Sequence, residues 1–190
     1  MKIILFLLLF ICPTFQYGQV DNNSEIKIFE QFSDYTNNNH ILLKDSLLFG
    51  DKGNIVIPSS YKKIWGIKKD NSLYRVFDNK MYKVADTSGL IVYTVSYMKE
   101  HLEANSVWLG FSLPVYSSVK SLRRDYYFSI SLESEIYNLT KKNIIRQVNN
   151  KSFEKAIKKK FRWNSITDFD EKTNVFLVNE VYNSTFISEK

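Results

Sequence analysis

"LYRVFDNKMYKVADTSGLIVYTVSY", residues 73–97, alternates bulky and polar side chains and breaks twice at turn-forming clusters. Side chains alternate across a strand with a period of two. Leu73 to Asp78 therefore predicts one strand, Met81 to Ala85 a second and Leu90 to Tyr97 a third. Asp78-Asn79-Lys80 and Asp86-Thr87-Ser88-Gly89 form the turns between them. Tyr74 and Val76 share a face, as do Tyr82 and Val84, and as do Ile91, Tyr93, Val95 and Tyr97. Aligned, these faces pair aromatic and β-branched residues across strands, each pair worth about 0.2–1 kcal/mol. The opposite face mixes Arg75, Lys83, Thr94 and Ser96 with Leu73, Phe77 and Met81. A second face that is neither cleanly polar nor cleanly apolar is covered in part, so the meander predicts a curled antiparallel sheet or a small barrel.

On the N-terminal side, "ILLKDSLLF" (41–49), "IVIP" (55–58) and "IWGIKK" (64–69) extend the β region, punctuated by the Gly-rich turn at 50–54 and by Asp70-Asn71-Ser72. Ile26, Phe29 and Phe32 have the spacing of one helical face, with Ile26 and Ile28 keeping a strand open as the alternative. On the C-terminal side, the polar run Met98 to Ser106 reads as an excursion, "VWLGFSLPVY" (107–116) as one strand with Pro114 at its end or at an edge, and 117–124 as a connection. Asp125 to Leu132 is the last strand expected.

The final third changes character. Thr140 is a candidate N-cap, and Phe153, Ala156, Ile157 and Phe161 form one helical stripe with lysines opposite. The acidic residues Asp168, Asp170 and Glu171 suit the first turn of a last helix. The fold class is α+β: a mainly antiparallel sheet of about six to eight strands, curled or barrel-like, followed by C-terminal helices over about 139–185. The basic helix at 151–162 is the expected cover for a sheet edge.

The first residues, "MKIILFLLLFICPTFQYGQV", carry Lys2, then an apolar run from Ile3 to Ile11, then Pro13. A spanning helix needs about 20 apolar residues. This run is shorter and fits the hydrophobic region of a signal peptide spanning residues 1–18, with cleavage after Gly18. The single cysteine, Cys12, offers an alternative, lipidation after cleavage in front of it. Residues 19–190 then form a single domain without cysteine, large enough to bury roughly 70% of its unfolded surface. The formal net charge of +6 falls to +5 without Lys2, which favours contact with anionic surfaces but is no nucleic-acid signature. The expected location is exported: periplasmic, associated with the outer membrane, or secreted.

Motifs for chemistry are sparse. His40 and His101 stand far apart and outside metal spacings, no G-x-S-x-G elbow occurs, and "GDKGN" lacks the Walker pattern. No catalytic residue, metal site or cofactor is assigned. The sharpest basic patch is Lys158, Lys159, Lys160 and Arg162, suited to lipid phosphates or an acidic partner and equally to a solvated helix face. Trp65 and Trp108 are candidate binding aromatics, with core packing as the plain alternative.

The stretch "KIWGIKKDNSLYRVFDNKMYKVADTSGLIVYT", with "YYFS" at 126–129 and "IYNLTKKNI" at 136–144, resembles a family of small, uncharacterised exported proteins of Bacteroidota. The matching elements are Trp65-Gly66, Tyr74 to Phe77, Tyr82 to Thr87 and Leu139 to Asn143, with Asn138 where the family pattern has proline. The resemblance covers roughly residues 61–165 and implies a β-rich body, a helical tail and export, with no catalytic residues to carry over. Function is expected to be non-enzymatic binding of another protein or a surface polymer of the cell envelope, with contact to a membrane surface open and no nucleic-acid partner. The alternative is a hydrolase acting on polysaccharide or peptide, and a third expectation is that "VWLGFSL" pairs as a sheet edge with another chain.

Overall fold

The structure, a computed structural model, describes residues 26–42, 48–49, 52, 54–56, 61, 63–108 and 112–186. The signal-peptide region and its cleavage sites lie outside them. The chain order is β1 (Lys27–Phe29), α1 (Phe32–Thr36), β2 (Ile41–Leu42), β3 (Leu48–Phe49), β4 (Ile55–Val56), β5 (Gly66–Lys69), β6 (Ser72–Phe77), β7 (Lys80–Asp86), β8 (Ile91–Trp108) and β9 (Ser112–Ser129). It continues with β10 (Tyr137–Asn138), α2 (Lys141–Val148), α3 (Lys151–Lys160), β11 (Phe169–Asp170), β12 (Val175–Phe176) and α4 (Leu177–Phe186). Eight strands form one antiparallel sheet in the order β10-β9-β8-β7-β6-β5-β1-β2, which is open rather than a closed barrel. The fold is α+β, as expected. The expected helical face of Ile26, Phe29 and Phe32 is corrected: Lys27–Phe29 form a strand, the alternative left open, and the helix begins only at Phe32.

Two-residue turns set the register of the meander. Asp70-Asn71 and Asp78-Asn79 have φ of 47°, 62°, 49° and 55°. Paired left-handed residues make the tight turn whose twist matches that of a hairpin, and Asn and Asp tolerate that region best after glycine. The second turn holds two residues where the sequence reading used three, so Phe77 pairs with Lys80, Val76 with Met81 and Tyr74 with Lys83. This one-residue difference corrects the expected alignment. Tyr74 and Val76 face away from Tyr82 and Val84, because a register slip of one flips every side chain.

Each sheet face consequently has its own apolar cluster. Val76 joins Ile28, Ile55, Ile64 and Ile67. On the other face Tyr82 joins Ile91, Tyr93 and Val95. A bulge between Val84 and Asp86 shifts the pairing with β8, so that Asp86 pairs with Val92. That brings the carboxylate to the face that the helices cover.

The helices pack on this face, not along an edge as expected for the basic helix. Thr140 caps α2 by accepting a hydrogen bond from the Asn143 amide, and Asn150 caps α3 by accepting from Phe153. The predicted stripe is buried: Phe153, Ile157 and Phe161 meet Val92 and Phe128 of the sheet, Ile144 of α2, and Val178 and Val181 of α4. The face wins over the edge because the stripe is apolar whereas an edge offers backbone groups. The acidic cluster is corrected too. Asp168, Asp170 and Glu171 precede and form the β11–β12 hairpin, and α4 begins only at Leu177. Asp170 accepts from the Lys172 amide and Asp168 from the Ser165 amide, so these carboxylates build turns.

The largest correction concerns residues 98–124. The polar excursion, the strand at 107–116 and the connection are one hairpin, paired from Ile91↔Ser129 to Trp108↔Ser112. Mixed polarity on both faces hid the alternation. Pro114 sits opposite Ser106 near the distal end, where β9 has no outer neighbour among the described residues to miss its amide.

The helical layer is fastened at the turn after the bulge. Asn179 is buried; its amide nitrogen donates to the Leu90 carbonyl (2.8 Å) and its oxygen accepts from the Leu90 amide (2.9 Å). Asp86 accepts from the Phe176 amide (3.0 Å) and the Ser88 amide (2.8 Å). Asn179→Ala strands both Leu90 groups and is expected to cost about 2–4 kcal/mol in urea unfolding, at the 1–3 kcal/mol typical of each buried group left unpaired. Burial pushes the Asp86 pKa up, but the Ser88 and Phe176 amides and the side chains of Ser88 and Asn179 together hold it below its ordinary value. A depressed carboxyl stabilises the fold above its unfolded pKa and loses that contribution as pH falls through the folded value. Asp86→Asn is therefore expected to flatten the acid limb of stability below about pH 4, measured by urea midpoints across pH.

Candidate functional site

A groove of about 1070 Å³ opens beside the start of the meander, bounded by Glu30 and Phe32 at one end, Lys63 to Trp65 along one wall, Arg75 to Asn79 along another, and Glu133. β1, β5 and β6 are neighbours in the sheet, so their ends converge here. The Trp65 amide donates to the Phe29 carbonyl (2.8 Å) and the Val76 amide donates to the Trp65 carbonyl (2.9 Å). These bonds hold the residues just before β5 against β1 and β6.

Arg75 is the unusual member. It is only 7% exposed although it carries a charge. Its Nε donates to the Leu132 carbonyl (2.8 Å), and its Nη1 to the carbonyls of Val76 (2.6 Å) and Trp65 (3.1 Å). The guanidinium lies 5.1 Å from the Trp65 ring centre. Burial lowers its pKa, with Tyr93 and Glu133 acting in the opposite direction. Arginine remains charged at neutral pH even so. Among the described residues no carboxylate forms an ion pair with it, and its hydrogen bonds to the three carbonyls run through Nε and Nη1. Buried charges are usually paired.

Trp65 is buried, not a displayed stacking platform. Its ring centre lies 5.3 Å from those of Phe32 and Tyr35, and Phe29 meets Tyr35 edge-on at 5.3 Å. The Trp65 indole nitrogen is buried with no acceptor among the described residues. Such orphaned donors are uncommon in folded proteins. The groove is thus lined by a buried cation and by an indole whose N–H has no partner among the described residues.

The other sequence candidates lie elsewhere. For Trp108, at the distal end of β8, only the strand backbone is described. Lys158, Lys159 and Lys160 are exposed on α3, where Lys158 pairs with Glu154 (2.5 Å) and Lys160 with Glu180 (3.7 Å). Arg162 lies over the Trp163 ring at 5.3 Å, and Trp163 is 87% exposed. The structure does not bring these residues to the groove. Arg75 was missed because an arginine within an alternating strand reads as its solvated face, and its pairing with Tyr82 follows only from the register that the two-residue turn sets. Among the described residues, no cluster of His, Cys, Asp and Glu could hold a metal ion, and no helix is long and apolar enough to cross a membrane.

Arg75→Met removes the donor from three carbonyls and is expected to lower stability by about 2–4 kcal/mol in urea unfolding. Arg75→Lys, which cannot reproduce the fork, should recover less than half of that loss. Comparison with protein-family profiles, with curated proteins and with solved structures finds no match to this chain.

Proposed function

We propose that this chain is an exported, non-enzymatic binding protein of the cell envelope whose groove holds a carboxylate-bearing segment of another protein or of a surface polymer. The observation that carries this reading is Arg75, a buried cation at the groove wall that has no ion-paired carboxylate among the described residues. A ligand carboxylate would pair with the guanidinium, and a ligand oxygen would satisfy the Trp65 indole. Lys63 adds a second cation, while Phe32, Ile64 and Phe77 provide apolar walls. At about 1070 Å³ the groove lies just above the roughly 300–1,000 Å³ range typical of small-ligand sites, which suits a short oligomer. Export rests on Lys2, the apolar run Ile3 to Ile11 and the resemblance to exported proteins of Bacteroidota.

A second reading, hydrolysis of a bound polysaccharide or peptide, draws on Glu30, Asp78 and Glu133, which line the same groove. Asp78 and Glu133 are exposed at the groove.

Thermal shift of the mature chain with oligogalacturonate and with an oligoglutamate peptide tests the reading. The wild type should be stabilised by at least one of them, and Lys63→Glu and Phe32→Ala should each weaken binding about tenfold, equivalent to ~1.4 kcal/mol. Failure of both probes to bind, or indifference of binding to both substitutions, would sink the groove as the site. Cleavage of a probe, abolished by Glu133→Gln with capture retained, would favour the hydrolase.

A further inference from the structure

Beyond Val95↔Asp125 the β8–β9 hairpin leaves the sheet. β7 pairs with β8 only at Val92 to Thr94, and β10 pairs with β9 only at Tyr127 and Phe128. The remaining pairs, out to Trp108↔Ser112, form a two-stranded ribbon about 45 Å long at the ~3.4 Å rise of an antiparallel strand. A two-stranded ribbon is marginal by itself in water. A surface that receives one of its faces would complete it.

The two faces of the ribbon differ. Directly paired residues project to the same side, so Met98 and Leu122 share a face with Leu102, Lys120 and Arg124. Met98, Leu122 and Leu102 are 57%, 63% and 70% exposed, three of the most exposed large apolar side chains described. Glu100, the one acidic residue among them, accepts a hydrogen bond from Ser118 and lies opposite Lys120. The other face carries Tyr97, His101, Glu103 and Arg123; there Lys52 sits over the Tyr97 ring at 5.6 Å and His101 pairs with Glu103 at 3.1 Å. Towards its distal end the chain has no charged residue between Glu103 and Lys120, and Trp108 falls in this stretch. Basic residues flanking exposed apolar ones, next to an uncharged segment with tryptophan, match the layering of an anionic bilayer surface.

We propose that the distal β8–β9 ribbon is a docking arm that lies along an anionic lipid surface, with Met98, Leu102 and Leu122 entering the interface and Lys120 and Arg124 meeting lipid phosphates. Insertion is shallow. Among the described residues the outer edges of both strands have no pairing strand, and unpaired backbone groups are not accepted by hydrocarbon, so the ribbon lies in the headgroup layer and does not span. The arm shares no residue with the Trp65–Arg75 groove. A purified chain on vesicles therefore tests it independently of ligand binding and of export.

The experiment is co-sedimentation of the mature chain with vesicles of phosphatidylglycerol and phosphatidylethanolamine, against vesicles of phosphatidylcholine alone, over a salt series. The wild type should prefer the anionic vesicles, and Lys120→Glu/Arg124→Glu should weaken binding by about tenfold or more. Leu102→Ser/Leu122→Ser should weaken it comparably, and Lys158→Glu/Lys159→Glu should leave it unchanged. All of these positions are exposed, so an unaltered circular-dichroism spectrum confirms that each variant folds. Glycerol phosphate in solution should not compete, which separates a bilayer from a free phosphate. The proposal is overturned if the wild type ignores anionic vesicles, or if only the α3 variant loses binding. It is also overturned if the arm variants merely turn a dimer into a monomer without changing lipid affinity.

Discussion

Side-chain hydrogen bonds gathered at one turn join the two layers of this protein. Asn179 offers Leu90 a donor and an acceptor, much as a neighbouring strand would, in a place where no strand can reach. Asp86 does the same for the first residues of the helical layer by accepting from Phe176. Both contacts depend on the bulge after Val84, which rotates Asp86 from the Tyr82 face to the helix-covered face. Apolar packing of Phe128, Phe153, Ile157, Phe161 and Val178 supplies most of the cohesion. It is non-directional, however, and the polar contacts determine where the helices sit. Gly89 belongs to the same device: a Cβ there would come within 2.9 Å of the Asn183 oxygen and 3.1 Å of the Tyr182 ring.

The sheet is organised by what lies on each side of it. Near the turn both faces are covered, one by helices and one by the Tyr82–Tyr93–Tyr127 aromatic group with Leu132 and Ile136. Tyr93 donates to Ser129, which donates to the Ser131 carbonyl, so the hydroxyl buried in this group is fully used. The same two strands then run on past the covering, and their exposed apolar residues follow from that geometry. A hairpin keeps pairing for as long as its own hydrogen bonds continue, whether or not a core accompanies it.

Arg75 illustrates the cost and use of a buried charge. Three carbonyls hold it in place, and they tie β6 to the segment at Leu132 far along the chain. Held in this way, Arg75 lines the groove. A positioned cation surrounded by apolar walls recognises an anionic group more strongly than the same cation in water, because the surroundings are less polarisable. The α3 lysines contrast with it: two are already paired with glutamates and all are solvated.

Local pattern alone determined much of this protein. The strands from Leu73 to Tyr97, the Thr140 cap, the Phe153–Ile157–Phe161 stripe and the α+β class follow from periods of two and 3.6 and from cap and turn chemistry, which act within a few residues. Tertiary structure decided the rest. Whether the turn at Asp78 uses two residues or three is settled by twist and packing, and it reverses the face of Tyr74 and Val76. The ribbon at 98–124 was illegible because both of its faces mix polar and apolar residues, which hides a period of two. The groove was illegible for a related reason: Arg75, Trp65 and Leu132 meet only through long-range strand pairing, and a charge in an alternating strand carries no local mark of burial.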